Sequence, residues 1–546
     1  MTLFNSTFTI GGLAVLFFAI VWIRAEYKSS LRTLPGPKWK YPVIGIGFAL
    51  PPRPIHVFRQ WAQEYGEIFR IRVGWYDWVV INSPEAFKEI FDKQSRFTSS
   101  KLPAPIGHGI VTGDMRIFTM PYGPKWRSHR STMHRLLDPK MTLTFVPSQE
   151  FEVKQFLYQL AFDNEDQNKF FQHIRRLSFS IVMTSTYGRR VDSTEHEDLR
   201  AAAKASALLG KISRPGAFIE DEIPPLALLP EWAQPSRKKA KEYYKIVLKG
   251  KMQMWERLCD EVKRGVAPPS FGKSLYESNF RDEGLTDEDA AWIVGGLIEA
   301  GAEITAVVLQ NLILYLAATP QAQARAYEEI KHVVGSGRSP RFDDLPNLPY
   351  VRATVKEILR LCPVPTWAVK HFTDGEVVYK QHRIPKGTVI LANTSFIHFD
   401  PARFDEPHKF KPERFINHTR SSAEYAVASD PYERDQFTFG GGRRICPAIR
   451  LATNTLEITA VSLLWAFNIK PPVSTDAGGG QKEGIINTGD TAFEPTSFRA
   501  PKPYAVRFVP RDKSRANTVR HQWERAAAEG YQLRGLDVDL NGVVTE

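Results

Sequence analysis

Phe437-Thr438-Phe439-Gly440-Gly441-Gly442-Arg443-Arg444-Ile445-Cys446-Pro447 carries the densest chemistry in this 546-residue chain. A run of glycines lets backbone approach another group closely and adopt positive φ. Two arginines supply fixed, bidentate donors suited to carboxylates or phosphates. A cysteine follows, then a long apolar helix from Leu451 to Phe467, and a thiolate at a helix N-terminus is stabilised by free N–H groups and the dipole. A phosphate-binding loop would end in Gly-Lys-Ser/Thr, which is absent. A glycine turn beside a buried cysteine is the bland alternative. Haem accounts for the whole set, with glycines against the porphyrin, Arg444 on a propionate and Cys446 as axial thiolate.

The segment resembles the signature of the cytochrome P450 family, Phe-x-x-Gly-x-Arg-x-Cys-x-Gly. Phe439, Gly442, Arg444 and Cys446 match in register, and Ala448 stands where the family has its last glycine. Upstream, Glu357 and Arg360 sit three apart on a helix face, a pair that is usually exposed and weak by itself. The family places Glu-x-x-Arg ahead of Pro-Glu-Arg-Phe, found here as Pro412-Glu413-Arg414-Phe415. The resemblance implies that Glu357, Arg360 and Arg414 form a buried triad on the haem side. Trp126 and Arg130, four apart and so on one helix face, match the family's Trp-x-x-x-Arg and are implied as propionate donors, with a basic surface helix as the plain alternative. His371 falls where fungal-type members carry a propionate-contacting His, and a solvated loop His is the rival.

Between these motifs, Thr286 followed by Asp287-Glu288-Asp289 is a helix start, and apolar periodicity runs to Thr319, where Pro320 stops it. That is about 50 Å of helix. Its middle, Glu299-Ala300-Gly301-Ala302-Glu303-Ile304-Thr305, is rich in small residues that either pass close over a flat cofactor or pack a tight core. It resembles the family's Ala-Gly-x-Asp/Glu-Thr-Thr. This implies Gly301 against the cofactor and Glu303 and Thr305 in catalysis, and Ile298 and Ala302 are expected to look into the pocket. The first threonine, which in the family assists proton delivery, is Ile304 here and cannot donate a hydrogen bond. Thr305 would aim about 100° away from the usual direction.

Leu3 to Ile23 is uncharged and long enough to cross a bilayer. Basic residues from Arg24 to Lys40 follow and place the body in the cytosol, and no signal-peptide start or cut site precedes it. The expected organisation is an anchor at 1–24, a stiff Pro-rich linker at 25–52, a haem-thiolate catalytic domain at 53–511 and a polar, peripheral extension at 512–546 with a short helix from Thr518 to Glu529. Strands are read at Glu67–Val73, Trp78–Ile81, Val377–Tyr379, Thr388–Leu391 and Tyr504–Val509, and helices dominate Gly123–Thr319. The fold class is therefore mainly α with a smaller β portion, a cytochrome P450 fold preceded by one transmembrane helix. The three cysteines fit a reducing compartment, and Cys259 and Cys362 read as small buried hydrophobes. A net charge of +12 without zinc spacings, RNA-binding aromatics or long basic blocks points to a membrane or an acidic protein and away from nucleic acid.

The resemblance implies haem b as cofactor and oxygen insertion into a small molecule. The segments 101–118, 218–229, 364–369 and 486–493 are the candidate substrate contacts, and they suggest an apolar, aromatic or polycyclic compound of fungal secondary metabolism. No Gly-x-Gly-x-x-Gly segment is present, so electrons from NADPH would come through a separate flavoprotein, NADPH–cytochrome reductase, with a cytochrome b-type protein as a further donor. Localisation would be a single pass in the endoplasmic reticulum membrane. The rivals are a haem-thiolate isomerase or dehydratase that uses no O2 and a non-catalytic haem-binding protein.

Overall fold

The structure is a computed structural model that describes residues 30–38, 45–46, 49–51, 54–164, 166–212, 216–335, 337–366, 370–475, 481–496 and 498–545. The expected anchor at 1–24 lies outside the described residues, as do parts of the linker at 25–52, the loop Ala477–Gly480 and residues 367–369 of the expected substrate segment 364–369.

The body expected over 53–511 divides into two units. The smaller comprises the described residues up to Leu102, those from Lys370 to Ile397, and Gly441–Arg444. It holds a helix α1 (Ile55–Tyr65) and strands β1 (Ile68–Val73), β2 (Tyr76–Ile81), β3 (His371–Phe372), β4 (Val377–Tyr379), β5 (His382–Ile384) and β6 (Val389–Ala392). The main sheet runs β1-β2-β6-β3, with β2 and β6 parallel and the other pairs antiparallel. The Val79-Val80-Ile81 end of β2 and all of β6 are buried, as expected for strands covered on both faces. The partial alternation read at 67–73 comes from Arg70 and Arg72, whose guanidiniums share Asp77 at 2.8 and 3.2 Å. The Pro35 carbonyl accepts from the Arg70 N–H at 2.8 Å, so this part of the linker is fixed along β1.

The larger unit is helical: α2 (Pro124–Leu136), α3 (Val146–Phe162), α4 (Phe170–Tyr187), α5 (Glu197–Ile212), α6 (Pro235–Lys263), α7 (Asp287–Ala318), α8 (Pro320–Val334), α9 (Pro349–Leu361), α10 (Ile449–Ala466) and α11 (Lys513–Glu529). Thr286 closes a capping box on α7: its hydroxyl accepts from the Asp289 N–H at 3.1 Å, and Asp289 accepts from the Thr286 N–H at 3.0 Å. Two orphan donors are satisfied together. Among the described residues α7 is the helix long and apolar enough to cross a membrane, but its flanks are buried in two core clusters shared with α3, α4, α9 and α10, so in this structure it is a core helix.

The strand expected at Tyr504–Val509 forms only at Arg507–Pro510, antiparallel to Phe467–Lys470. Tyr504 turns away to pack edge-to-face on Phe170 and Phe171 and to donate its hydroxyl to the Gln310 carbonyl. Residues 512–546 are not peripheral. Asp512 caps α11 through the Arg515 N–H at 2.7 Å, so the helix begins before Thr518. Val519, Trp523 and Ala526 make a sparse stripe packed on the larger unit's core, and Trp523 and Tyr531 lie 5.6 and 4.8 Å from Phe151. A three-stranded meander (Tyr531–Leu533, Leu536–Val538, Val544–Thr545) follows, and buried Arg190 donates to the Leu540 carbonyl at 2.9 Å. The segment is polar by count, yet Val519, Trp523, Ala526, Tyr531, Leu533 and Val538 pack inward while Leu536 and Val543 stay exposed.

Candidate active site

Cys446 stands just ahead of α10. The backbone folds back so that the Cys446 N–H donates to the Phe439 carbonyl at 2.8 Å. Burial pushes the Cys446 thiol up, while the N–H of Ala448 and the guanidinium of Arg130 pull it down. Arg130, one turn beyond buried Trp126 on α2, donates to the Ile445 carbonyl. Ala448 has φ −95°, which any L-residue adopts, so alanine in place of the family's glycine carries no backbone strain. Gly442 is different. It has φ +57°, and a Cβ there would lie 2.0 Å from the Phe91 carbonyl oxygen, while its N–H donates to Asp92 at 2.6 Å. Its lack of a side chain serves this close approach to the segment Lys88–Lys93.

Behind the cysteine loop lies a buried ionic network. Arg360 donates to Glu357 through Nε at 2.7 Å and Nη2 at 2.8 Å, both residues being fully buried. Arg414 Nε and the Lys411 N–H reach the same carboxylate at 3.3 and 3.0 Å. Arg360 Nη1 donates to the carbonyls of His398 and Pro407. His398 escaped the motif reading, which has no pattern for it. Its Nδ1 faces the Arg360 carbonyl at 2.9 Å, and its Nε2 faces the Phe437 N–H at 2.7 Å. A carbonyl only accepts and an N–H only donates, so the ring is the neutral Nδ1–H tautomer. Burial, followed by Arg360, holds its pKa well below the usual value. The acid–arginine pair on α9 is thereby linked through one neutral imidazole to the start of the cysteine loop.

In the smaller unit Arg444, His371 and Lys101 converge. Arg444 Nε donates to the Ser99 carbonyl at 2.8 Å, His371 Nδ1 to the Thr98 carbonyl at 2.7 Å and Lys101 Nζ to the Lys370 carbonyl at 3.1 Å. His371 is not a solvated loop residue, because it opens β3 and is buried edge-on against Phe91. Burial, then Lys101 and Arg444, drive its pKa well below normal, and burial, then Arg444, does the same to Lys101. The positive charge of Arg444 adds to burial in both shifts, and carboxylates placed among the three groups would oppose it.

On α7 the burial breaks: Gly296, every residue from Glu299 to Thr305, and Val307 keep accessible surface, and Gly296, Ala300, Glu303 and Val307, with Ile304 beside them, form a stripe within that stretch. The spacing of four, three and four is one helix face. A Cβ on Gly296 would meet open space. Three residues expected at the cofactor or substrate lie off this stripe. Gly301 would set a Cβ 3.0 Å from Val182, so it serves the packing of α7 on α4. Ile298 and Ala302 pack in or on the second core cluster and line a small cleft with Arg175, Phe179, Leu199 and Glu303. Thr305 is turned about 140° from Ala300 at 100° per residue. Glu303 stays on the stripe and is exposed.

The sequence model of the cytochrome P450 family matches residues 34–483. The chain belongs to the cytochrome P450 family. Among characterised relatives, it is 48% identical to the cytochrome P450 monooxygenase pgmC of Aspergillus terreus, over 98% of this chain and 97% of that protein. It is 35% identical to the cytochrome P450 monooxygenase verL of Clonostachys rogersoniana, over 95% and 94%. The fold matches a solved zebra fish cytochrome P450 structure with abiraterone, at TM-score 0.64 and 21% identity over 84% of this chain and all of that one.

As a cytochrome P450 monooxygenase the chain takes haem, and its residues fit that group. The accessible stripe of α7 is apolar at Gly296, Ala300, Ile304 and Val307, suiting a porphyrin face. The basic trio Arg444, His371 and Lys101 suits carboxylates. Cys446 would supply a soft sulfur ligand, and an iron charge would oppose the effect of burial on its thiol. Lys101 was missed as a cofactor residue because a lone lysine in Ser99-Ser100-Lys101-Leu102 carries no motif. Its depth under β3 is a property of the fold.

Proposed function

We propose that this cytochrome P450 inserts one oxygen atom from O2 into an apolar, aromatic or polycyclic small molecule, using electrons from NADPH delivered by a separate flavoprotein reductase. The observation that carries the reading is Cys446, held ahead of α10 by its N–H on the Phe439 carbonyl, with Arg130 bonded to the neighbouring Ile445 carbonyl. Cys446 would ligate the iron; Trp126 and Arg130 in the larger unit, and the basic trio His371, Arg444 and Lys101 in the smaller, are each suited to carboxylates such as propionates. Bound haem supplies the electron-transfer and oxygen chemistry, which the axial thiolate favours. The chain's part is to orient substrate against the α7 stripe, exclude water and hold a proton at Glu303. Lys125 and Arg127, exposed on α2, give a positive face that steers an acidic reductase. The uncharged run at 3–23 would anchor the protein in the endoplasmic reticulum membrane with its body in the cytosol, and a role in fungal secondary metabolism is the reading that similarity to fungal monooxygenases supports.

The deciding experiment is the reduced carbon monoxide spectrum of purified protein, followed by turnover with NADPH, reductase and O2. A long-wavelength Soret band and O2-dependent product are expected. A band at the imidazole-haem position refutes the assignment. Ile304 at the family's threonine, with Thr305 turned off the stripe, favours a second reading, a haem-thiolate isomerase or dehydratase. Product formation without O2 or NADPH would establish it.

A further inference from the structure

Glu299 is the one charged residue in an otherwise uncharged run of α7 from Ala290 to Ala302, and it borders the accessible stripe. Helix geometry sets it about 60° from Gly296. Its Oε1 accepts from both Nε and Nη2 of Arg116. Its Oε2 is buried and has no hydrogen-bond partner. Lys251 of α6 stands beyond it, with Nζ 3.8 Å from Oε2, which is ion-pair but not hydrogen-bond range. The ammonium lies 4.6 Å from the Trp292 ring centroid, and a Cβ on Gly295 would come within 3.3 Å of it. Among the described residues Lys251 makes no hydrogen bond. The side chains of Arg116, Glu299 and Lys251 keep 15%, 16% and 11% of their surface accessible, so a small molecule can reach them.

Two cations face one carboxylate here, and Arg116 already donates twice to one of its oxygens. Trp292, Ile106, Val111, Leu209, Ile212 and Phe218 form an apolar cluster next to the lysine. Lys251 Nζ is not among the fully buried unpartnered atoms, so its donors remain open to an arriving acceptor. An anion is the partner that fits, because it would complete a two-cation, two-anion arrangement, whereas a second cation would add to the excess.

We infer that Lys251, placed by Glu299 and Arg116, is a specificity-determining residue that binds an acidic group, a carboxylate or phenolate, at one end of an otherwise apolar substrate. This rests on the monooxygenase reading and sharpens its substrate class from apolar to apolar acid. A structural brace between α6 and α7 would explain the Arg116–Glu299 pair, but it leaves the lysine's donors unused.

The test uses the full-length haem-loaded protein and titrates the Soret shift with two probes, a naphthoic acid as its carboxylate and the methyl ester of the same acid. The carboxylate should bind roughly tenfold more tightly or better. Lys251→Met should abolish that preference while leaving ester binding within about threefold, and Lys251→Arg should retain it. If the Met variant does not load haem, Lys251→Gln takes its place in the same titration. Equal binding of the two probes, no shift with either, or a preference that survives loss of the lysine overturns the inference. Failure of the monooxygenase reading is separate, because it appears in the carbon monoxide spectrum before any probe is added.

Discussion

Replacing Glu357 by alanine removes the acceptor for four donors at once: Nε and Nη2 of Arg360, the Lys411 N–H and Nε of Arg414. Arg360 keeps its bonds to the His398 and Pro407 carbonyls through Nη1, but its charge stays fully buried without a counter-ion. Breaking a buried pair by deleting one partner costs about 3–5 kcal/mol. That is a large part of the usual total stability of about 5–15 kcal/mol. With an unfolding entropy of about 2.1 cal/mol/K per residue, a chain of 546 residues loses roughly 1 °C of Tm for each 1.1 kcal/mol, so Tm should fall by about 3–5 °C. Because Arg360 and His398 link to the Phe437 N–H, the cysteine loop should loosen and haem incorporation should drop severely. The assay is the carbon monoxide difference spectrum per mole of purified protein, with thermal unfolding alongside. If an uncompensated charge is the cause, Glu357→Leu with Arg360→Met should recover part of the Tm. Soluble Glu357→Ala protein with full haem and an unchanged Tm would refute the reasoning.

Gly442→Ala should give little folded holoprotein, since its Cβ would lie 2.0 Å from the Phe91 carbonyl at φ +57°, whereas Ala448→Gly should be close to neutral in yield and in haem content by absorbance. His398 is buried neutral with its pKa held down, so the unfolded chain binds a proton that the folded chain does not. The stability it contributes is present above the unfolded value of about 6.5 and is lost as pH falls below it, and urea midpoints measured across that range should show the loss diminished in His398→Asn. Truncation after Arg511 should yield insoluble protein, because it strips Trp523 and Tyr531 from Phe151 and leaves Arg190 without the Leu540 carbonyl; a soluble, haem-loaded truncate would show the segment to be dispensable.

The cysteine loop, the Glu357–Arg360 pair, both ends of α7 and the paired strands at 67–81 were legible in the sequence. Each is written in local chemistry: turn glycines, a capping box, a helix-stopping proline, spacing along one face. The helix at 513–529 was only half legible because its apolar stripe is three residues in a polar segment. Which small residue serves which neighbour was not legible at all. Gly301 and Ala300 are adjacent in sequence and equally small, yet one packs on Val182 and the other lies on the open stripe, and only the rotation of α7 against α4 separates them. His398 and Lys251 lie in no motif. A buried imidazole becomes a connector, and a lysine becomes a candidate anion site, through the groups that distant segments bring to them. Sequence alone therefore determined the family and singled out the cysteine loop, because a ligand loop is a contiguous piece of chain. The tertiary structure decided which charges are buried, which donors are unused and which helix face is open, because burial depends on every segment packed around a residue.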